Sequence, residues 1–202
     1  MKKSTLAVCS SFFLLFSSCA SIRIPVPGEG ELKRASIYTE YMSIADAYND
    51  LGKYDKACQY YELAKKNKKL YWTSSYKLAR CYTLNKKYDK ALTIFQELLK
   101  RDENNTSLKM SVAYLYAMNG NISEAKVLYQ SLWSENHDNA DVLVNYLNVL
   151  FASKEYDEFE KYLTELKEKF SDNKSITEFE KKLTEYKKSL EKAEEANSKN
   201  KE

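Results

Sequence analysis

An all-α chain is predicted, built as a right-handed solenoid of four tandem helix-turn-helix hairpins and closed by a C-terminal capping helix. Three observations carry this expectation. The 202 residues include only four glycines and two prolines against 44% hydrophobic and 30% charged residues, too few turn residues for a strand-rich fold. A shift of thirty-four residues superimposes the chain on itself from 38 to 173 with no insertion or deletion. Beyond residue 173, Ile176, Phe179, Leu183, Tyr186 and Leu190 follow at helical spacing, one apolar stripe on an otherwise charged helix.

The chain opens with a targeting pattern over residues 1–18. Lys2 and Lys3 precede an apolar run from Leu6 to Phe16, which suits the middle of a signal peptide and is too short to span a bilayer. The run is not amphipathic, which argues against a core helix. Ser17-Ser18-Cys19 resembles the lipobox of bacterial lipoproteins, and that resemblance implies cleavage before Cys19 and lipid attachment to it. Phe16 stands where Leu is usual, so an ordinary signal-peptidase site stays open. Residues 19–34 read as the lipidated cysteine and an extended tether, because Pro25, Pro27, Gly28 and Gly30 all fall there and disfavour a helix start.

The repeat units run 38–71, 72–105, 106–139 and 140–173, within a repeat region of 35–173. Ala45, Ala79 and Ala113 fall in register, as do Tyr48, Tyr82 and Tyr116, then Ala57, Ala91 and Ala125, and Tyr61, Phe95 and Tyr129. The fourth unit places Leu147, Leu150, Phe159 and Leu163 at these positions. Ile44, Ala45 and Tyr48 share a helix face and are expected to form a buried stripe. Small residues at 45 and 57 let two helices approach closely, and tyrosines fill the space beside that contact while their hydroxyls find partners. The count of seventeen tyrosines is itself unusual. Gly52 and Gly120 occupy equivalent turns. Asn104-Asn105-Thr106, Asp138-Asn139 and Asp172-Asn173 supply N-cap residues for the helices that follow. Leu147 and Phe159 replace small residues, so the fourth hairpin is expected to open wider or pack differently. The stripe from Ile176 to Leu190 makes 174–190 a cover for the exposed end of the solenoid, with a coiled-coil partner helix as the alternative. Residues 191–202 are expected to be a frayed, disordered tail.

Tyr41-x2-Ile44-Ala45-x2-Tyr48 followed by Ala57-x3-Tyr61 resembles the tetratricopeptide repeat, and the likeness covers about two thirds of the chain. The family often closes each unit with proline; Lys69, Glu103, His137 and Ser171 stand there instead. The resemblance implies a concave face lined by the first helix of each unit that binds extended peptides or partner helices. Its positions are Met42, Asp46 and Asn49; Tyr76, Arg80 and Thr83; Met110, Tyr114 and Ala117; and Val144, Asn148 and Phe151. The lining is polar near Asp46 and Arg80 and apolar toward Met110, Tyr114 and Phe151. Members that bind chaperone C-terminal tails carry a lysine and asparagine clamp, to which only Asn148 corresponds. Asp46 and Arg80, equivalent in neighbouring units, could instead simply pair with each other.

Catalytic chemistry has little material. His137 is the single histidine, no glycine-rich phosphate loop exists, and the carboxylates lie on solvated helix faces with lysines nearby. No enzyme activity, metal or cofactor is expected. Removal of Lys2 and Lys3 takes the formal net charge from +3 to +1, which does not call for nucleic acid or an anionic surface. Lys65-Lys66-Asn67-Lys68-Lys69 reads as a solvated turn, or less favourably as a contact to anionic headgroups. Cys58 and Cys81 would remain after export at places the family usually keeps apolar. They read as buried thiols, and the sequence does not supply the distance that a bridge requires. The functional expectation is an exported, membrane-anchored adaptor of the bacterial cell envelope, its folded part facing the periplasm, binding other proteins through the groove and touching the membrane through the lipid alone. An accessory ligand-binding subunit of a solute transporter is the alternative. Self-association is left open.

Overall fold

The computed structural model describes residues 29–199. The signal peptide 1–18, Cys19, most of the tether and residues 200–202 lie outside the described residues. Regular structure among the described residues is all helical: α1 Glu29–Asp50, α2 Tyr54–Ala64, α3 Tyr71–Leu84, α4 Tyr88–Arg101, α5 Thr106–Met118, α6 Ile122–Glu135, α7 Ala140–Ala152, α8 Tyr156–Lys169 and α9 Ser175–Lys199. Each helix packs against the next in the chain, and α5 also touches α7. The result is a row of four hairpins, α1–α2 to α7–α8, with α9 laid against the last.

The hairpin positions follow from the repeat. The second helices start at Tyr54, Tyr88, Ile122 and Tyr156, so every start is displaced by the thirty-four-residue period. Ala45, Ala79, Ala113 and Leu147 are fully buried, as are Ala57, Ala91, Ala125 and Phe159. Tyr61, Phe95, Tyr129 and Leu163 are buried beside them. Absence of bulk at the alanine pairs is what allows the two backbones of a hairpin to close together. In the fourth hairpin Leu147 and Phe159 are still wholly buried, but α7 and α8 have the fewest close backbone approaches of the four hairpins. Phe159 is held there by edge-on contacts with Phe151 at 5.3 Å and with Phe179 of α9 at 5.6 Å.

All four hairpin turns share one hydrogen-bond pattern. The amides of Lys53, Lys87, Asn121 and Glu155 donate to the carbonyls of Tyr48, Tyr82, Tyr116 and Leu150 at 2.8, 2.8, 2.9 and 3.0 Å. This closure requires a left-handed residue just before the donor. Gly52 (φ 68°) and Gly120 (φ 84°) meet it as the sequence suggested; Lys86 (φ 57°) and Lys154 (φ 63°) adopt the same conformation at the equivalent places. At the opposite ends, the Asn105 side chain accepts from the Leu108 amide, that of Asn139 from Asp141 and Val142, and that of Asn173 from Ser175. α3 has no such side-chain cap at Leu70, and it opens at Tyr71, one residue ahead of the expected boundary.

Three expectations need correction. Residues 29–34 belong to α1 rather than to an extended tether, because both prolines precede Glu29 and the following Glu, Leu, Lys, Arg and Ala are good helix formers. Residues 191–199 continue α9 rather than forming a disordered tail, since that stretch is also made largely of helix-favouring Lys, Glu and Ala. Ile44 is 38% exposed rather than buried. Its counterparts Leu78, Val112 and Tyr146 are buried, and each of their helices follows another hairpin, whereas α1 has no preceding hairpin among the described residues.

α9 covers the last hairpin. Phe179 is buried, Ile176 and Leu183 pack against the same core, and Tyr186 stacks on Tyr156 with ring centroids 3.4 Å apart. Lys167–Glu180 at 2.6 Å and Lys187–Glu160 at 2.8 Å flank this seam. Leu190, at the end of the expected stripe, is exposed.

A candidate protein-binding groove

The first helices α1, α3, α5 and α7 stand side by side, and three hollows run along the face they form. The first, of about 380 Å³, lies between α1 and α3 and is lined by Asp46, Asn49, Asp50, Lys77 and Arg80. The second, of about 390 Å³, shares Arg80 and Leu84 with the first and adds Met110, Tyr114, Tyr129 and Asn145. The third, of about 320 Å³, shares Tyr114, Tyr129 and Asn145 and is otherwise walled mainly by Ala117, Met118, Ile122, Val149 and Ala152. Shared walls make the three hollows one open groove. It is charged at the α1–α3 end and apolar at the α5–α7 end.

Asp46 is the organising group of the charged end. Lys77 donates to both its oxygens at 2.7 and 2.6 Å, and the Tyr61 hydroxyl donates to one of them at 2.5 Å. Burial first, and then this bond to an anion, push the Tyr61 phenol well above its ordinary range. The Asp46–Lys77 pair is partly exposed, with about a third or more of each side chain reaching solvent, so its stabilising effect is about 1 kcal/mol or less. Asp46 thus pairs with Lys77 rather than with Arg80. Among the described residues Arg80 takes part in no salt bridge; its guanidinium lies 6.0 Å from the Tyr76 ring centroid. A cation in this state, at the boundary of two hollows, keeps its capacity for a bidentate contact with an incoming carboxylate or carbonyl.

The remaining groove positions divide between lining and packing. Asp46, Asn49, Arg80, Met110, Tyr114 and Asn148 line the hollows. Asn148 turns its amide back to the Val144 carbonyl at 3.1 Å. Tyr76 lies at the margin, edge-on to Phe95 at 5.9 Å, and borders a separate hollow with Arg101 and Asn105. Met42 packs against the core of the first two hairpins. Phe151 packs against Tyr156 and Phe159, with the Lys182 ammonium 5.9 Å from its ring centroid, and is absent from the three linings. Both ring partners belong to α8, the second helix of its own hairpin.

Lys77 and Asn145 were not among the expected groove positions, and the repeat marked Tyr129 only as a packing residue. Lys77 and Asn145 precede Arg80 and Asn148 by three residues, so helical spacing could have found them. Tyr129 comes from a second helix; its hydroxyl donates to the Met110 carbonyl at 3.2 Å, and burial raises its phenol above the ordinary range. Nothing in a first-helix pattern points to it.

Family models of the tetratricopeptide repeat match residues 42–106 and 116–179. No curated protein sequence matches the chain. Among solved structures, a tetratricopeptide repeat protein from Parabacteroides merdae ATCC 43184 is similar with a TM-score of 0.64 at 17% identity, over 78% of this chain and 63% of that one. The chain therefore spans less than two thirds of that relative's length. MamA from Desulfovibrio magneticus RS-1 is similar with a TM-score of 0.61 at 12% identity, over 68% of this chain and 78% of the other. YrrB, a tetratricopeptide protein with an unusual peptide-binding site, gives 0.55 at 17% identity, over 76% and 79%. Identities this low establish likeness of fold, and a solenoid of this kind is a scaffold for protein–protein interaction. With two matching segments that together span most of the hairpins, and the repeated alanine and aromatic positions buried as that architecture requires, the chain belongs to the tetratricopeptide repeat family.

Proposed function

We propose that the protein is a lipid-anchored scaffold of the bacterial cell envelope that holds an extended segment of a partner protein in the α1–α3–α5–α7 groove. The continuity of the three hollows carries this reading. A strand of peptide laid along them meets Arg80, with no carboxylate in salt-bridge contact, near one end and the apolar wall of Tyr114, Met118, Ile122 and Val149 at the other. The bound segment therefore combines an acceptor group, carboxylate or carbonyl, with an apolar side chain farther along. YrrB, with its peptide-binding site on the same fold, supports peptide as the ligand class. The near-neutral net charge expected after loss of residues 1–18 supports protein rather than nucleic acid as partner. Anchoring rests on the Ser17-Ser18-Cys19 pattern, and no described helix is long and apolar enough to cross a membrane. A transporter subunit would need an enclosed cavity for its ligand, and no observation favours that reading. We expect no catalysis.

A photo-crosslinking amino acid placed at Tyr114, followed by mass spectrometry of the captured protein, tests the groove directly. Arg80→Ala and Tyr114→Ala are expected to weaken capture by tens of fold, since aromatic and arginine anchors often contribute about 2 kcal/mol or more each to an interface. Both are exposed, so their melting temperatures stay near wild type. Tyr82→Ala is the control: buried and bonded to Glu62 at 3.1 Å, it loses roughly 3 kcal/mol of stability. Variants that remain folded and retain full capture would place binding elsewhere on the molecule.

A further inference from the structure

We propose that Cys58 and Cys81 close to a disulfide that staples the first hairpin to the second. They sit on packed helices, α2 and α3, at positions whose counterparts one unit on are Leu92 and Leu115. Both are free thiols in the same buried cluster, 4% and 0% exposed. Cys81 Sγ donates to the Tyr54 carbonyl at 3.2 Å. Tyr54 is one helical turn before Cys58, so the Cys81 sulfur lies against the turn of α2 that carries the other thiol. The two thiols also act on each other: this holds Cys81 below its ordinary range, with help from the Lys87 ammonium, while the same interaction and burial push Cys58 up.

The oxidant is a disulfide, small-molecule or protein-borne. One of the two cysteines gives its proton to solvent, attacks one sulfur of the oxidant, forms a mixed disulfide and releases one thiolate. The other gives its proton to solvent and attacks the sulfur of the first, releasing the second. Two thiols lose two protons and two electrons in all, and the oxidant's sulfur–sulfur bond accepts the electrons. Because both groups are buried, exchange takes place before α2 and α3 dock or during their transient separation.

The link falls at the first junction between hairpins. The first hairpin has a described neighbour on one side only, and on the other side Ile37, Ile44 and Leu51 of α1 and its turn are 43%, 38% and 66% exposed. The α2–α3 junction is therefore what keeps it in line, and the charged end of the groove, Asp46 with Lys77 and Arg80, spans that same junction. A covalent tie there fixes the end of the groove without occupying it.

The test takes the full chain through a series of glutathione to glutathione-disulfide ratios, blocks free thiols under denaturing conditions and maps peptides without reduction. The expected result is a peptide pair joined through Cys58 and Cys81, lighter by two hydrogens than the two thiol peptides, increasing with the disulfide ratio and lost on treatment with dithiothreitol. The oxidised form should melt about 5–10 °C higher than the reduced form, and this gain should vanish in Cys58→Ala and in Cys81→Ala. Two thiols that stay open to alkylation at the most oxidising ratio would overturn the proposal. So would separate glutathione adducts, or links to Cys9, to Cys19 or to a second copy. None of these outcomes bears on capture by the groove, so the two readings fail separately.

Discussion

Lys86 and Lys154 show how the repeat constrains single residues more tightly than the side chains advertise. The four hairpin turns make the same backbone bond, and that bond demands a left-handed residue whatever its identity. Glycine meets the demand at 52 and 120 without strain, while lysine places its Cβ close to its own backbone. Lys86→Gly and Lys154→Gly are therefore expected to stabilise the protein by about 0.5–1 kcal/mol each, net of the added freedom of the unfolded chain. Gly52→Ala should destabilise by a similar amount, since the space around an added Cβ is open and only the backbone conformation resists it. Chemical denaturation of the three variants checks the signs, and a loss of stability in both lysine variants would show that their side chains matter more than their φ angles. Only Gly52 and Gly120 were legible from the sequence, because lysine is not a residue that announces positive φ.

Between residue and molecule stands α9, the element that completes the fourth hairpin. Phe179 fills the space against Phe159, and the Tyr186–Tyr156 stack extends the contact toward the far end of α8. Deletion of 174–202 uncovers Phe159, Leu163 and Leu166, all now buried. The truncated protein is expected to lose stability by several kcal/mol or to self-associate through the new apolar surface. Deletion of 191–202 removes the part of α9 that lies beyond Leu190, and should leave the melting temperature within a degree or two of wild type. Differential scanning calorimetry with light scattering distinguishes these outcomes; equal behaviour of both truncations and the intact chain would mean that the Ile176–Tyr186 stripe does not hold the solenoid. Polar ties recur at this scale too. Asn85 donates to Asp55 at 2.9 Å and Asn119 to Asp89 at 2.8 Å, each joining a hairpin turn to the preceding hairpin. Exposed bonds of this kind set alignment more than stability.

For the whole molecule, the two ends of the solenoid differ. The C-terminal end is covered by α9, whereas the first hairpin presents Ile37, Ile44 and Leu51 to solvent. In the proposed arrangement the N-terminal end is also the end nearest the membrane, because α1 follows the anchor segment after a short span of chain. A labelled fatty acid is expected to enter the wild type and to be absent from Cys19→Ala, which should fractionate as soluble protein. Label retained in the variant would exclude Cys19 as the attachment site, and unlabelled wild type released in soluble form would indicate ordinary signal-peptide cleavage.

The repeat by itself determined the fold. A thirty-four-residue period with small and aromatic residues at fixed places leaves one way to bury Ala45, Ala57 and Tyr61 together, and every later unit repeats it. It also placed Asp46, Arg80, Met110 and Tyr114 along one face, since helical spacing determines which side of a helix a residue occupies. What tertiary structure decided depends on neighbours that a local pattern does not contain. Ile44 is exposed because no described hairpin precedes it, and Phe151 packs on Tyr156 and Phe159 of α8 instead of lining the groove. Asp46 chose Lys77 over Arg80 because the bond geometry across α1 and α3 favours the nearer ammonium. Cys58 and Cys81 are far apart in the chain, and only the docking of α2 on α3 brings the two thiols into one buried cluster.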